Sequence, residues 1–213
     1  MKISELEAEL RKRLLFDYKW GLKQNDILDR KTNFIYKIFY LEELIAKLET
    51  EFKNDEDYLL LENYAMNRWF NYWSARGVEA LFCKFPNVEA EKNPKNKTSD
   101  FTINGIKFDL KTTGFPKNYK HDLTFALNNK RDLIYWLYKN QSGEQRRHFK
   151  NRLFLVLYNC SGENWKLKAE ISRIKKIITP YVENFNESNL EEFILKGEER
   201  TFSDIIWCVN STE

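Results

Sequence analysis

The stretch SDFTINGIKFDLKTT, residues Ser99–Thr113, decides how the rest of the chain is read. Asn104 and Gly105 are a preferred pair for a two-residue type I′ turn, in which both central positions need positive φ. Pairing outward from that turn sets Ile103 opposite Ile106, Thr102 opposite Lys107, Phe101 opposite Phe108, and Asp100 opposite Asp109. Strand alternation then puts Phe101, Ile103, Ile106, Phe108 and Leu110 on one face, with Asp100, Thr102, Lys107, Asp109 and Lys111 on the other. Directly opposed side chains lie about 4.5–5.5 Å apart at Cβ, where two carboxylates repel unless a cation compensates. Magnesium suits that position, because it takes carboxylate oxygens and keeps waters for exchange. Lys111, two residues beyond Asp109 on the same face, is placed to orient or deprotonate a water or to steady charge building on a phosphate. The bland alternative is a solvated strand face that happens to carry charges.

Around the hairpin the elements follow a definite order. Residues 57 to 85 have helical periodicity, with Leu59, Met66, Trp69 and Trp73 on one face and Asn63, Asn67 and Asn71 on another. Gly77 is a candidate break or bend, and Val78, Leu81, Phe82 and Phe85 continue at helical spacing. Val88 to Lys92 reads as a short first strand, and Asn93 to Thr98 as a polar loop. Asp122 to Asn140 reads as a helix and Leu153 to Tyr158 (LFLVLY) as a strand covered on both faces.

This order, with the acids and lysine where they stand, resembles the PD-(D/E)xK nuclease superfamily over roughly residues 58 to 159. The resemblance implies an α/β, restriction-endonuclease-like fold: a mixed β-sheet flanked by helices, core order αβββαβ, here with an N-terminal helical extension. Asp100 takes the place of the first motif's aspartate, Asp109 that of the second motif's acid and Lys111 that of its lysine, while Ser99 stands where the superfamily's name has proline. It further implies catalytic Asp100, Asp109 and Lys111, and Mg2+ (with Mn2+ as substitute) held by Asp100, Asp109, the backbone carbonyl of Leu110 and a helix glutamate. Glu79 is the first choice for that glutamate, near the end of the helix that feeds the first strand. Glu62, an acid inserted in the apolar stripe, competes with it. The implied activity is hydrolysis of DNA phosphodiester bonds, as in a restriction or repair endonuclease. The alternatives are a non-catalytic nucleic-acid-binding module or a protein-interaction module on the same fold.

Composition agrees with a folded chain. Of 213 residues, 42% are hydrophobic and 15% aromatic, enough apolar material to bury one core. The net charge of +3 is mild, yet Lys107, Lys117, Lys120, Lys130, Arg131, Arg146, Arg147, Lys150 and Arg152 crowd the middle of the chain. Lys117, Lys120, Lys130 and Arg131 are the candidates for contacts with DNA phosphates, against the commoner reading of solvated helix faces. His121 and His148 have no spacing that marks a ligand pair. Cys83, Cys160 and Cys208 lack a CxxC pair and read as buried reduced thiols. No run of about 18 apolar residues exists and the start is too charged for a signal peptide, so the expected setting is cytoplasmic, away from membranes.

Residues 1 to 56 read as the helical extension and 57 to 213 as the nuclease-like domain. Ser4 and Glu7 form a candidate capping box ahead of Leu6, Leu10 and Leu14. Ile38, Leu41, Ile45, Leu48 and Phe52 make an apolar stripe that packs either on the core or on a second copy of the chain in a homodimer. In the tail, Trp165 to Ile171 alternates like a strand and Ile174 to Tyr181 steps like a helix. Ser188 and Glu191 suggest a further capped helix, and Ile205 to Val209 a final buried strand.

Overall fold

The computed structural model describes residues 2–20, 22–23, 25–93, 98–140, 150–194 and 200–211. The chain divides into two compact units, residues 1–78 with 168–172, and residues 79–167 with 173–213.

The first unit is helical: α1 (Ile3–Lys12), α2 (Asp26–Lys31), α3 (Leu41–Phe52) and most of α4 (Tyr58–Phe82). Of the apolar stripe, Leu41 and Leu48 of α3 are buried, as is the neighbouring Leu44, while Ile38, Ile45 and Phe52 are half-buried. The capping box does not form. Helix α1 begins at Ile3 behind Lys2 with no side-chain cap, and Glu7 instead pairs with Arg11 at 2.8 Å and accepts the N–H of Ser172 at 2.7 Å. Helix α4 runs uninterrupted through Gly77. A Cβ there would collide with Leu6 Cδ2 and lie 3.3 Å from Ile171 Cδ1, so the glycine serves a close approach rather than a break. On the asparagine face of α4, Asn67 is fully buried, accepting from Arg13 Nη2 at 2.6 Å and donating to the Lys19 carbonyl at 2.8 Å.

One further α4 asparagine, Asn71, accepts from Lys168 Nζ at 2.7 Å. The Lys168 residue is half-buried as a whole, but its amine is closely surrounded, and burial pushes its pKa down to about 8. A lysine depressed in the folded state binds its proton more weakly there than in the unfolded chain. Its destabilising effect is therefore complete below about pH 8 and is relieved as pH rises toward the unfolded value near 10.5. We expect Lys168→Met to be more stable relative to wild type at pH 7 than at pH 10. The gap should shrink by on the order of 2 kcal/mol, read from urea unfolding at the two pH values.

The second unit is an α/β domain built on one six-stranded mixed sheet. Its strands are β1 (Val88–Ala90), β2 (Phe101–Ile103), β3 (Ile106–Gly114), β4 (Arg152–Asn159), β5 (Glu191–Ile194) and β6 (Arg200–Asn210), in the order β1-β2-β3-β4-β6-β5. Strands β1, β2 and β3 are antiparallel; β4 is parallel to both β3 and β6, and β5 is antiparallel to β6. Helices α5 (Leu123–Asn128) and α6 (Lys130–Asn140) lie between β3 and β4, and α7 (Ile171–Glu183) between β4 and β5. The single helix expected over 122–140 is thus two, the first capped by Asp122, whose carboxylate accepts the Phe125 N–H at 2.8 Å.

Residues paired across neighbouring strands share a face. Phe154 and Val156 of β4 and Ile205 of β6 pack with Ala126, Leu133, Ile134 and Leu137 of α5 and α6. The opposite face carries Phe108, Leu153, Leu155, Leu157 and Ile206, all buried, and Phe108 meets Phe185, just past α7, edge-on at 6.0 Å. This two-sided cover explains the continuous apolar run of β4.

In the tail two expectations fail. Residues 164–169 form a 3-10 helix, not a strand. Glu191, expected in a capped helix, opens β5, because a short segment beside β6 satisfies its backbone through four residue pairs. Cys208 is buried as expected, but Cys83 and Cys160 are exposed. Among the described residues no helix is long and apolar enough to cross a membrane.

Candidate active site on strands β2 and β3

The type I′ turn forms as its sequence requires, with φ of 48° at Asn104 and 85° at Gly105. A Cβ on Gly105 would meet nothing within 4 Å, so only the backbone resists a side chain there. Gly105→Ala should cost about 1–2 kcal/mol in thermal unfolding, the strain of an L-residue held at positive φ.

The register also follows: Ile103 pairs with Ile106, Thr102 with Lys107, and Phe101 with Phe108. There the ladder ends. Asp100 does not continue it opposite Asp109; its N–H donates to the Phe108 carbonyl at 2.8 Å, so Asp100 and Phe101 both address Phe108. This is the arrangement of a β-bulge, which re-aims a side chain. The Asp100 carboxylate turns onto β3, where Oδ2 accepts the Leu110 N–H at 2.7 Å.

Strand β3 orients what Asp100 meets. The Asp109 N–H donates to the Asn151 carbonyl at 3.0 Å, toward β4. Alternate residues of a strand aim their backbone groups to opposite sides, so the N–H and C=O of Leu110 both face the side that β2 vacates. The Leu110 carbonyl, a candidate metal ligand, therefore points to the edge where Asp100 sits.

Asp109 is the electrostatic centre. Lys111 Nζ lies 2.6 Å from its Oδ1, and Arg152 Nε donates to its Oδ2 at 3.1 Å. Arg152 is the parallel-register partner of Asp109 on β4. Its guanidinium lies 5.1 Å from the centre of the Tyr138 ring, which belongs to α6 and also packs edge-on against Phe154. Tyr138 donates to the Lys150 carbonyl at 2.8 Å, and burial raises its phenol above the ordinary range. The side chains of Asp109 and Arg152 are 13% and 12% exposed against 44% for Lys111, so two members of the cluster are held and one can swing.

In the sequence Arg152 is one of the basic residues between Lys117 and Arg152 that could meet a phosphate, and no local signal pairs it with Asp109; that meeting depends on parallel pairing across 43 residues. Glu91 also joins the site. Its N–H donates to the Asp100 carbonyl at 2.9 Å, and its carboxylate accepts from the Asn93 N–H at 2.9 Å and from Ser99 Oγ at 3.3 Å. Ser99 thus ties the approach to Asp100. Extending the hairpin's alternation into the first strand, through Glu89 and Glu91, would have signalled it.

The other candidates are scattered. Glu79 is half-buried in the last turn of α4, an end anchored by Phe82, whose ring stacks on Phe101 at 4.6 Å. Glu62 lies in the first unit and accepts from Tyr58 at 3.0 Å; burial first, then that acceptor, pushes the Tyr58 phenol up to about 12. Lys130 bonds Asp204 at 2.8 Å and the Asn189 carbonyl at 2.6 Å, and Arg131 pairs with Glu191 at 3.1 Å over the Phe193 ring. Lys117 and Lys120 are exposed in the segment between β3 and α5. His121 stacks on Phe125 at 3.8 Å. Arg146, Arg147 and His148 lie outside the described residues.

Among the described residues no three His, Cys, Asp or Glu side chains gather as a metal-holding group, so Glu79 does not complete a three-carboxylate set with Asp100 and Asp109 in this arrangement. What the site does offer is two carboxylates and a backbone carbonyl, all hard oxygen donors of the kind magnesium takes together with water. The Lys111 ammonium already stands beside Asp109 as a cation would. No protein-family model, curated protein or solved structure matches this chain.

Proposed function

We propose that the chain is a metal-dependent phosphodiesterase acting on DNA, with a restriction-endonuclease-like second unit. The observation that carries this reading is the placement of Asp109 and Lys111 two residues apart on β3, 2.6 Å from one another, beside an Asp100 carboxylate bonded to the N–H of Leu110. The strand order supports it: a helix, three antiparallel strands, helices and then a parallel strand is the order the resemblance implies.

In this reading Asp100, Asp109 and the Leu110 carbonyl would hold Mg2+, with Mn2+ as substitute and Glu79 as the nearest helix acid in sequence. A magnesium ion there would supply Lewis-acid polarisation of a phosphoryl oxygen and a lowered pKa for the attacking water. Lys111, the exposed and flexible member, would orient that water and offset the charge that builds on phosphorus. Lys117 and Lys120 would contact neighbouring phosphates without reading sequence.

A second reading draws on the Arg152–Asp109 ion pair. If that pair is purely structural, the unit binds nucleic acid or protein without cutting. Plasmid DNA incubated with Mg2+ or Mn2+, with and without a chelator, separates the two: chelator-sensitive cleavage that vanishes in Asp109→Ala and Lys111→Ala supports the nuclease.

A further inference from the structure

The geometry points to Arg152 as a resident counter-cation that occupies Asp109 until a phosphodiester arrives, so that metal and nucleic acid bind with positive coupling through this side chain. The inference rests on the nuclease reading of the same site and adds a regulatory positioning residue to it.

Both carboxylate oxygens of Asp109 are engaged by cations, Oδ1 by Lys111 and Oδ2 by Arg152. The two cations differ in freedom. Lys111 is a compact charge on a flexible stem, with its side chain 44% exposed, and can yield its place. Arg152 is nearly buried, paired in register with Asp109, and laid over the Tyr138 ring, so it stays. A divalent ion approaching Asp109 therefore meets a positive charge that cannot withdraw, in a place where screening by water is weak.

The same guanidinium supplies the remedy. Only Nε bonds Asp109, and the two terminal nitrogens have no hydrogen-bond partner among the described residues. A planar fork with free terminal N–H groups matches a phosphate's oxygens. When a phosphodiester takes those groups, its negative charge offsets Arg152, and Asp109 can share its oxygens with a metal. Lys111, displaced from Asp109, is then next to the phosphate that needs it.

Linkage makes the effect reciprocal: whatever factor DNA adds to metal affinity, metal adds to DNA affinity. The test is Mn2+ binding to the full chain, followed by the electron paramagnetic resonance signal of free Mn2+. It is run with and without a short duplex whose linkages are hydrolysis-resistant phosphorothioates. In wild type the duplex should tighten Mn2+ by about tenfold or more. Arg152→Gln should bind Mn2+ about tenfold more tightly than wild type without DNA and gain little from the duplex, whereas Arg152→Lys, which keeps the charge, should stay weak. Equal Mn2+ affinity in wild type and Arg152→Gln overturns the counter-cation and leaves the nuclease reading standing. Absence of Mn2+ binding in every protein, with or without duplex, overturns both. Should Arg152→Gln fail to fold, as judged by circular dichroism, the wild-type comparison decides alone, and a duplex that does not tighten Mn2+ refutes the coupling.

Discussion

Asp109→Asn protein should lose metal-dependent cleavage of plasmid DNA by about 10³-fold, and Lys111→Ala by about 10²–10³-fold, with both still folded. The substitution at 109 keeps size but turns one acceptor oxygen into an NH2 donor and removes the charge that faces Lys111 and Arg152, so a bound cation loses its strongest ligand. Lys111 is 44% exposed and its loss leaves no cavity, which is why stability should change little. Rates are to be compared at saturating Mg2+ and again with Mn2+. A defect in Asp109→Asn that higher metal concentration relieves would identify weakened metal binding, whereas a Lys111→Ala defect should persist at any concentration. Chelator-sensitive cleavage at wild-type rate in both variants would remove the site from β3.

The largest stability effect among single substitutions near the site is expected at Phe101. Its ring is buried and stacks on Phe82 at the end of α4, within 20° of parallel. Removing a buried phenyl costs about 3–5 kcal/mol, combining lost transfer energy with the cavity left behind. For a chain of this size that corresponds to a fall of about 6–20 °C in Tm. Phe101 also sits at the bulge that turns Asp100 onto Leu110, so Phe101→Ala should lower cleavage at temperatures where the protein remains folded. Calorimetry together with a cleavage rate at 20 °C tests both; a Tm within about 2 °C of wild type would mean that the surroundings collapse into the space.

The hairpin that carries the candidate site was legible because its signals are local. Asn104 and Gly105 dictate a turn, the turn sets the register, and alternation puts Asp109 and Lys111 on one face; each step involves residues within a few positions of one another. Elsewhere a distant partner prevails over a local motif. Glu7 meets Ser172 rather than capping its own helix, Glu191 joins a strand because β6 lies beside it, and Gly77 is needed for contact with Leu6 and Ile171 rather than for a break.

What the sequence by itself determined is therefore the hairpin and the residues on its polar face, since short-range sterics and a two-residue period suffice for both. Only the tertiary structure decided their electrostatics. Parallel pairing brings Arg152 against Asp109 from 43 residues away, and the end of the β2–β3 ladder turns Asp100 onto Leu110 instead of opposite Asp109. Both depend on which strands become neighbours, a choice made by burying whole faces of the sheet and one that no stretch of the chain encodes alone.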